Sequence, residues 1–412
     1  MSVGAYIGPA LALLLTSALI LWLKPLATVV GLVDVPDARK VHSGEIPLIG
    51  GLSIFIAVFA ADVVAELIVP GQSGAMDYGG FFLAGMLLVL TGMIDDYLDL
   101  SATHKMVMQI IAALIMVFSA QVVLQDLGTL GIARDAMSLG IMAVPFTVFA
   151  TVGVINAINM SDGLDGLAGS LCLVSLCGFF LATALFGTGE DASLLLMLIC
   201  AVTGFLIFNF RIPGRSAALV FLGDSGSMFL GFALAWFAIR FSQGEDRIMP
   251  PAAALWFLML PLFDAVSMTI RRIMKRRPPF GADREHLHHI FLLAGFTVSE
   301  TVLILASIAL LGVGVGLAAT YFEIPDVIVA GGFAVLGLMY LRMIVKSWEV
   351  LRFLRYSINR RTGIKDRRVL PDRRVNSNVA YFGLERRLGQ DRRTDLRRGE
   401  DGDSDVPVRR SG

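Results

Sequence analysis

The sequence predicts an all-α, polytopic integral membrane protein of about eleven transmembrane helices, with its N-terminus outside and its C-terminus in the cytoplasm. Three observations predict this class. Of 412 residues, 56% are hydrophobic and 17% charged, with a mean hydropathy of +0.74, against about 25% charge in soluble domains. Apolar runs able to cross ~30 Å of hydrocarbon recur along the chain. Lys and Arg collect on alternate connecting loops.

Eleven runs set the elements in order: residues 4–24, 48–69, 80–94, 106–125, 140–157, 166–187, 193–209, 219–240, 251–270, 299–321 and 327–345. One set of loops holds Arg39, Lys40, Lys105, Arg211, Arg215, Arg271, Arg272, Lys275, Arg276, Arg277 and Arg284. The other holds Arg134 and Arg247, with Arg240 at a border. Basic loops stay in the cytoplasm, so the first set is inside. The first run has no basic leader and no small-residue cleavage site, and reads as a retained span. Cys172, Cys177 and Cys200 fall in apolar runs without CxxC spacing, which argues against a disulfide framework or a zinc site and for packing residues.

The chain has 34 Lys/Arg against 34 Asp/Glu, yet from Lys346 onward there are 18 basic and 10 acidic residues, leaving 16 and 24 before it. Three segments follow: a transmembrane domain over 1–345, a juxtamembrane segment over 346–358 and an Arg-rich tail over 359–412. The juxtamembrane segment spaces Trp348, Leu351, Leu354 and Ile358 like a surface-lying amphipathic helix, and reads equally as the end of the last span. The tail repeats an acid–Arg–Arg unit at Asp366, Asp372, Glu385 and Asp391. So polar a stretch cannot bury enough surface to fold alone, and a solvated, disordered tail is preferred to a hold on anionic lipid.

The chemistry-bearing residues gather at the inner face. Asp34, Arg39, Lys40 and His42 follow the first run; Asp95, Asp96 and Asp99 the third; Asn156, Asn159, Asp162 and Asp165 the fifth. Asp224 opens the eighth run, and Arg284, His286, His288 and His289 lie after the ninth. The outer loops hold scattered acids: Asp77, Asp126, Asp135, Glu190 and Asp191. On a helix, Asp95 and Asp96 diverge by ~100°, so this adjacent pair is not expected to clamp one ion. Steps of three residues turn each polar side chain from Asn156 to Asp165 by about −60° from the last. They cannot all converge unless the helix ends, and Gly163 and Gly166 supply an end. Gly223 and Gly226 around Asp224 let backbone approach a phosphate. Acids from separate loops with Arg, Lys and His nearby suit magnesium and a diphosphate substrate. Three histidines could serve zinc, but abundant Asp and distant Cys argue for magnesium. Asp264 lies inside the ninth run, where acids are functional by default. Asp62, in the second run, clusters with nothing and reads as a packing or water-cavity residue.

Five motifs carry a resemblance: DVPDARKVHSGEIPLIGG (34–51), GMIDDYLD (92–99), NAINMSDGLDGLAG (156–169), FLGDSGSMFLG (221–231) and DREHLHHIFLLAGF (283–296). In this order they resemble the polyprenyl-phosphate N-acetylhexosamine-1-phosphate transferases, over residues 1 to about 345. The resemblance implies transfer of GlcNAc-1-phosphate from a UDP-sugar to undecaprenyl phosphate with release of UMP. It also implies magnesium (or manganese), eleven spans, and an active site on the cytoplasmic face of the bacterial inner membrane, the outside being the periplasm. Asp95 and Asp96 match the paired aspartates, catalytic and metal-binding, with Asp95 the candidate to deprotonate the lipid phosphate. Asp224 matches the metal-binding aspartate and Phe221 an aromatic that stacks on uracil. Asn159, Asp162 and Asp165 match a run implicated in nucleotide binding and catalysis; His286, His288 and His289 match a motif near the diphosphate and sugar. Arg39, Lys40, His42, Asn156, Asp264 and Arg284 are the further candidates for substrate contact. IPLIGG (46–51) and His-Leu-His-His (286–289) depart from the TPTMGG loop and three consecutive histidines of the translocase using UDP-MurNAc-pentapeptide, which favours a donor without peptide. Relatives that use FucNAc, QuiNAc or GalNAc derivatives share these motifs, so the sugar and the pathway stay open between O antigen of lipopolysaccharide, a common antigen, a capsule and an exopolysaccharide. The Arg-rich tail has no counterpart in the pattern. The partners expected are the two substrates and membrane lipid, with homodimer formation compatible and no nucleic acid. An intramembrane prenyltransferase would show nine spans and no histidine loop, and an ion-coupled transporter would carry acids near mid-span in both halves of a repeat.

Overall fold

A computed structural model describes residues 6–34, 44–68, 78–130, 136–189, 191–212, 214–276 and 286–346. These lie within the first of two units, Met1–Ser347; the second, Trp348–Gly412, is outside the described residues, and with it the expected amphipathic segment and tail.

Among the described residues thirteen α-helices run in chain order: α1 (Ile7–Val30), α2 (Gly50–Ile68), α3 (Gly79–Leu98), α4 (Ala102–Ala120), α5 (Ala143–Ser161), α6 (Leu167–Phe186), α7 (Ala192–Asn209), α8 (Gly223–Arg240), α9 (Pro251–Phe257), α10 (Met259–Met274), α11 (Leu287–Ala294), α12 (Val298–Tyr321) and α13 (Asp326–Val345). A short antiparallel pair, β1 (Val33–Asp34) and β2 (Ile46–Pro47), precedes α2. Among the described residues nine helices are long and apolar enough to cross a membrane: α1 to α7, α12 and α13.

Two expected spans take other forms. The run at 251–270 divides into α9 and α10, bent by 84°. Pro261 has no N–H to give the carbonyl four residues back. That carbonyl, on Phe257, instead accepts from Ser175 Oγ of α6 at 2.7 Å, so the break is satisfied by a neighbouring helix. The run at 219–240 begins as a helix only at Gly223, and the Gly and Ser of its first turns make α8 too polar to count as a span by composition. Yet 15 of its 18 residues are buried, whereas α13 buries four. α8 is the axis of the bundle, packed by α2, α3, α5 and α6.

Small residues allow this approach, as they do where helices meet in membranes. Gly51 of α2 and Gly92 of α3 lie against the backbone of Asp224, Ser225 and Gly226, where any Cβ would overlap. Phe221 and Leu222 accept from Gly50 and Gly51 N–H, both at 3.0 Å, satisfying amides that a helix start leaves open. Farther along α8, rings interlock: Phe55 and Phe229 sit 5.2 Å apart and nearly perpendicular, Phe81 and Trp236 5.3 Å apart.

At the far end of α8, Arg240 Nε lies 2.8 and 2.9 Å from the two oxygens of Asp191, and Tyr78 donates to Asp191 at 2.8 Å. Asp126 lies 3.7 Å from Arg247. Asp191 and Asp126, two of the scattered acids, are therefore held structurally; Asp77, Asp135 and Glu190 are outside the described residues. Asp62 is fully buried and neither carboxyl oxygen has a hydrogen-bond partner among the described residues.

Candidate active site

The end of α3, the starts of α4 and α8 and the end of α5 come together. α4 starts at Ala102 behind an N-cap, Ser101, whose hydroxyl accepts from His104 N–H. This puts Lys105 one turn into the helix, and its ammonium lies between two carboxylates: 2.7 Å from Asp95 Oδ2 and 3.1 Å from Asp224 Oδ2. Asn159 donates to the other oxygen of Asp224 at 2.9 Å and lies 2.9 Å from Ser227 Oγ. The second oxygen of Asp95 accepts from Leu100 N–H at 2.7 Å.

Asp96 is turned elsewhere. Its Oδ1 accepts from Asp224 N–H at 2.9 Å and its Oδ2 lies 3.4 Å from Ser225 N. The expected divergence of the adjacent pair is realised: Asp95 meets Lys105 and the side chain of Asp224, and Asp96 meets the backbone amides at the start of α8. Asp99, exposed, ends α3 in a left-handed conformation.

The polar run at the end of α5 also fans out. Asn156 donates to Gln109 Oε1 of α4 and to Val152 O, both at 2.8 Å, and so stands apart from the carboxylates. α5 ends at Ser161, leaving Asp162 outside the helix. Burial, then repulsion from Asp224, Asp96 and Asp165, pushes the Asp162 carboxyl up to about 8. Asp165 accepts from Arg211 Nε at 2.7 Å and from Ala218 N–H at 3.0 Å, which pins the α7–α8 connection and keeps it out of hydrogen-bond contact with Asp224.

The histidine segment has an internal order. Asp264, expected to meet substrate, is buried and occupied: His286 Nδ1 lies 2.7 Å away, Tyr340 donates at 2.8 Å and Leu287 N–H at 3.3 Å. A carboxylate only accepts, so His286 carries its proton on Nδ1 and leaves Nε2 to face outward from that bond. His286 and His288 rings are parallel, 5.5 Å apart, and His289 lies 4.3 Å from His288. Burial and the neighbouring histidines lower the His288 imidazole to about 3, so it is neutral and offers a hydrogen bond, not a positive charge. Its Nε2 has no partner among the described residues and lies against Gly163, where a Cβ would come within 2.6 Å. Phe221 is half-buried, two residues before the helix, its N–H bonded to Pro47 O at 2.9 Å. Arg39, Lys40, His42 and Arg284 lie outside the described residues.

Sequence reasoning missed three residues as site components. Lys105 was legible as a lone cation just before the fourth apolar run; Gln109, one turn on, follows from it. Tyr340 carries no signal beyond a hydroxyl in a span, and its partner is 76 residues away.

Among the described residues no three His, Cys, Asp or Glu side chains are gathered to hold a metal ion. Magnesium asks for less: one or two carboxylates, waters and phosphate oxygens. Asp95 Oδ2 and Asp224 Oδ2 converge on a single cation, the Lys105 ammonium, and every donor there is oxygen. This pair fits a hard divalent ion; zinc, which prefers nitrogen and sulfur, is not suited.

Residues 78–242 match the profile described as glycosyl transferase family 4. The chain is 32% identical over 343 residues to a protein of Shigella flexneri named undecaprenyl-phosphate alpha-N-acetylglucosaminyl 1-phosphate transferase, covering 83% of this chain and 91% of that one. Proteins of the same name from Salmonella typhi (33%, the same coverage) and Yersinia pestis (32%, 81% and 89%) are similar. With that identity over nearly the whole length of its relatives, the chain belongs to the polyprenyl-phosphate N-acetylhexosamine-1-phosphate transferases of glycosyl transferase family 4.

Proposed function

We propose that the chain transfers GlcNAc-1-phosphate from a UDP-sugar to undecaprenyl phosphate, releasing UMP and leaving undecaprenyl-diphosphate-GlcNAc to start a cell-surface polysaccharide. The observation that carries this is the convergence of Asp95 and Asp224 on Lys105, with Asn159 bonded to Asp224. The shared name of the relatives supports the donor and the acceptor. Eleven membrane segments are consistent with the nine spans together with α8 and the broken α9–α10 pair. The basic loops support a cytoplasmic site in the bacterial inner membrane.

In this reading an oxygen of the lipid phosphate attacks the phosphorus that bears the sugar. The bond from that phosphorus to the bridging oxygen breaks, and UMP leaves with the electron pair. Asp95 takes the remaining proton of a monoprotonated lipid phosphate. The Lys105 ammonium offsets charge gathering on the phosphates. Asp224 with Asp95 would hold magnesium, or manganese in its place, which when bound would supply Lewis acidity toward the diphosphate. His288, neutral, gives a hydrogen bond, and Asp264 with Tyr340 fixes His286 beside it. The Phe221 ring, next to the Asp224 turn, stacks on uracil.

The test is purified protein with magnesium, undecaprenyl phosphate and a panel of UDP-N-acetylhexosamines. UMP release with UDP-GlcNAc is expected. Release with another donor alone changes the sugar, and no UMP with any donor overturns the reading.

A further inference from the structure

Asp95 and Asp96 are neighbours in a helix that continues to Leu98, so their side chains serve two surfaces. Asp95 faces Lys105. Asp96 faces the first turn of α8, the one that carries Asp224. The first amides of a helix have no acceptors of their own, and the residue before α8, Leu222, has no side chain able to cap it. Asp96 fills that role from across the helix interface, accepting from Asp224 N–H at 2.9 Å and lying 3.4 Å from Ser225 N. The fit is built on both sides. Gly223 has φ +73°, and a Cβ there would come within 2.6 Å of Asp96 Oδ2. Gly92, one turn before Asp96 on α3, allows the backbones of the two helices to meet. A carboxylate at a helix N-terminus also sits with the helix dipole.

We propose that Asp96 is a positioning residue: it caps α8 from α3 and so fixes the backbone that carries Asp224, without itself holding metal or moving the proton. The inference rests on the proposed transferase reaction for its kinetic readout only. Its physical content is that one acid of the pair touches the chemistry while the other sets where Asp224 stands. A cap needs an acceptor oxygen and not a full charge, so asparagine can stand in.

The experiment compares Asp96→Asn, Asp96→Ala and Asp95→Asn in the full chain, in detergent. The expected result is that Asp96→Asn keeps kcat within about tenfold of wild type, the scale of a weakened cap, with the same half-saturating magnesium. Asp95→Asn loses on the order of 10³-fold. Amide hydrogen exchange in a peptide covering 221–227 should speed up in Asp96→Ala and far less in Asp96→Asn. Should Asp96→Ala not fold, the asparagine variant carries both readouts. An Asp96→Asn enzyme as inactive as Asp95→Asn, or one needing much more magnesium, overturns the proposal. So does unchanged exchange in a folded Asp96→Ala. If wild type releases no UMP with any donor, the transferase reading fails, and the exchange comparison still decides whether Asp96 is the cap.

Discussion

The two ends of α8 carry opposite charges into opposite ends of one bundle. At the last turn Arg240 meets Asp191 through two short contacts, with Tyr78 completing the group. At the first turn Asp224 shares a single ammonium, Lys105, with Asp95, while Asp96 and Asp162 bring two more carboxyl groups close by. Both ends follow the helix dipole, acid at the start and base at the end. They differ in balance. At the Arg240 end both oxygens of Asp191 are taken up, by Arg240 together with Tyr78, so the acid is closed off. Among the described residues the Asp224 end gathers four carboxyl groups around one ammonium, a surplus that a further cation or a proton relieves. A closed pair contributes to the fold; a surplus makes a site.

The strongest way to break this contrast is at the surplus. Asp224→Asn and Asp95→Asn should each cut kcat on the order of 10³-fold with melting temperature nearly unchanged, measured by UMP release and thermal unfolding. Wild-type turnover in either would remove it from the chemistry. Next is the shared cation: Lys105→Met should lower kcat/KM by about 100-fold, while the magnesium concentration needed for half-activity falls, because a competing positive charge leaves Asp95 and Asp224. An unaltered rate would make Lys105 a mere counter-ion. At the closed end the sign of the effect changes. Asp191→Ala should cost about 2 kcal/mol of stability, from the partners left behind, read as a lower melting temperature, while kcat of the folded enzyme holds.

A smaller effect is a pH dependence. Asp162 in the folded chain titrates near 8, against 3.8 for an ordinary aspartate. The folded state then holds the proton more tightly than the unfolded one, so this group's contribution to stability falls as pH rises from about 4 to about 8. Magnesium that neutralises the surplus should raise the melting temperature more at pH 8 than at pH 6. Equal rises at both would place the ion away from these carboxylates. The smallest effect is expected at Asp62, buried without a hydrogen-bond partner among the described residues. Asp62→Asn keeps the side chain's shape and breaks no hydrogen bond among the described residues, so stability should not fall, and a large loss would reveal a role for its charge.

Parts of this site were legible in the chain. The helical angle between Asp95 and Asp96 already said that the adjacent pair would not clamp one ion by itself, and the glycines after Asp162 already offered an end to the helix. What each residue faces was not legible. Asn156 looks like a member of the cluster, but it bonds to Gln109; Asp165 looks catalytic, but Arg211 and the backbone of Ala218 hold it. Asp264 looks like a functional acid within a span, and in the fold it is the buried support of His286 and Tyr340. Such partners are set by helices that meet from distant parts of the chain, which periodicity cannot see. The same holds for α8. Its composition makes it a poor span, yet it is the most enclosed of the long helices among the described residues, because a helix shielded by protein has no need of a lipid-facing apolar surface.

By itself, then, the sequence determined the membrane class, the helical elements and the gathering of polar residues at one end, since hydropathy and helix period are local properties. It also determined the family, through five motifs in order. Only the tertiary structure decided that Lys105 joins Asp95 to Asp224, that the run at 251–270 breaks at a carbonyl taken by Ser175, and that Asp96 turns to the amides of α8. Each of those rests on atoms brought within about 3 Å by packing, and glycines at 51, 92 and 223 are what let the backbones come that close.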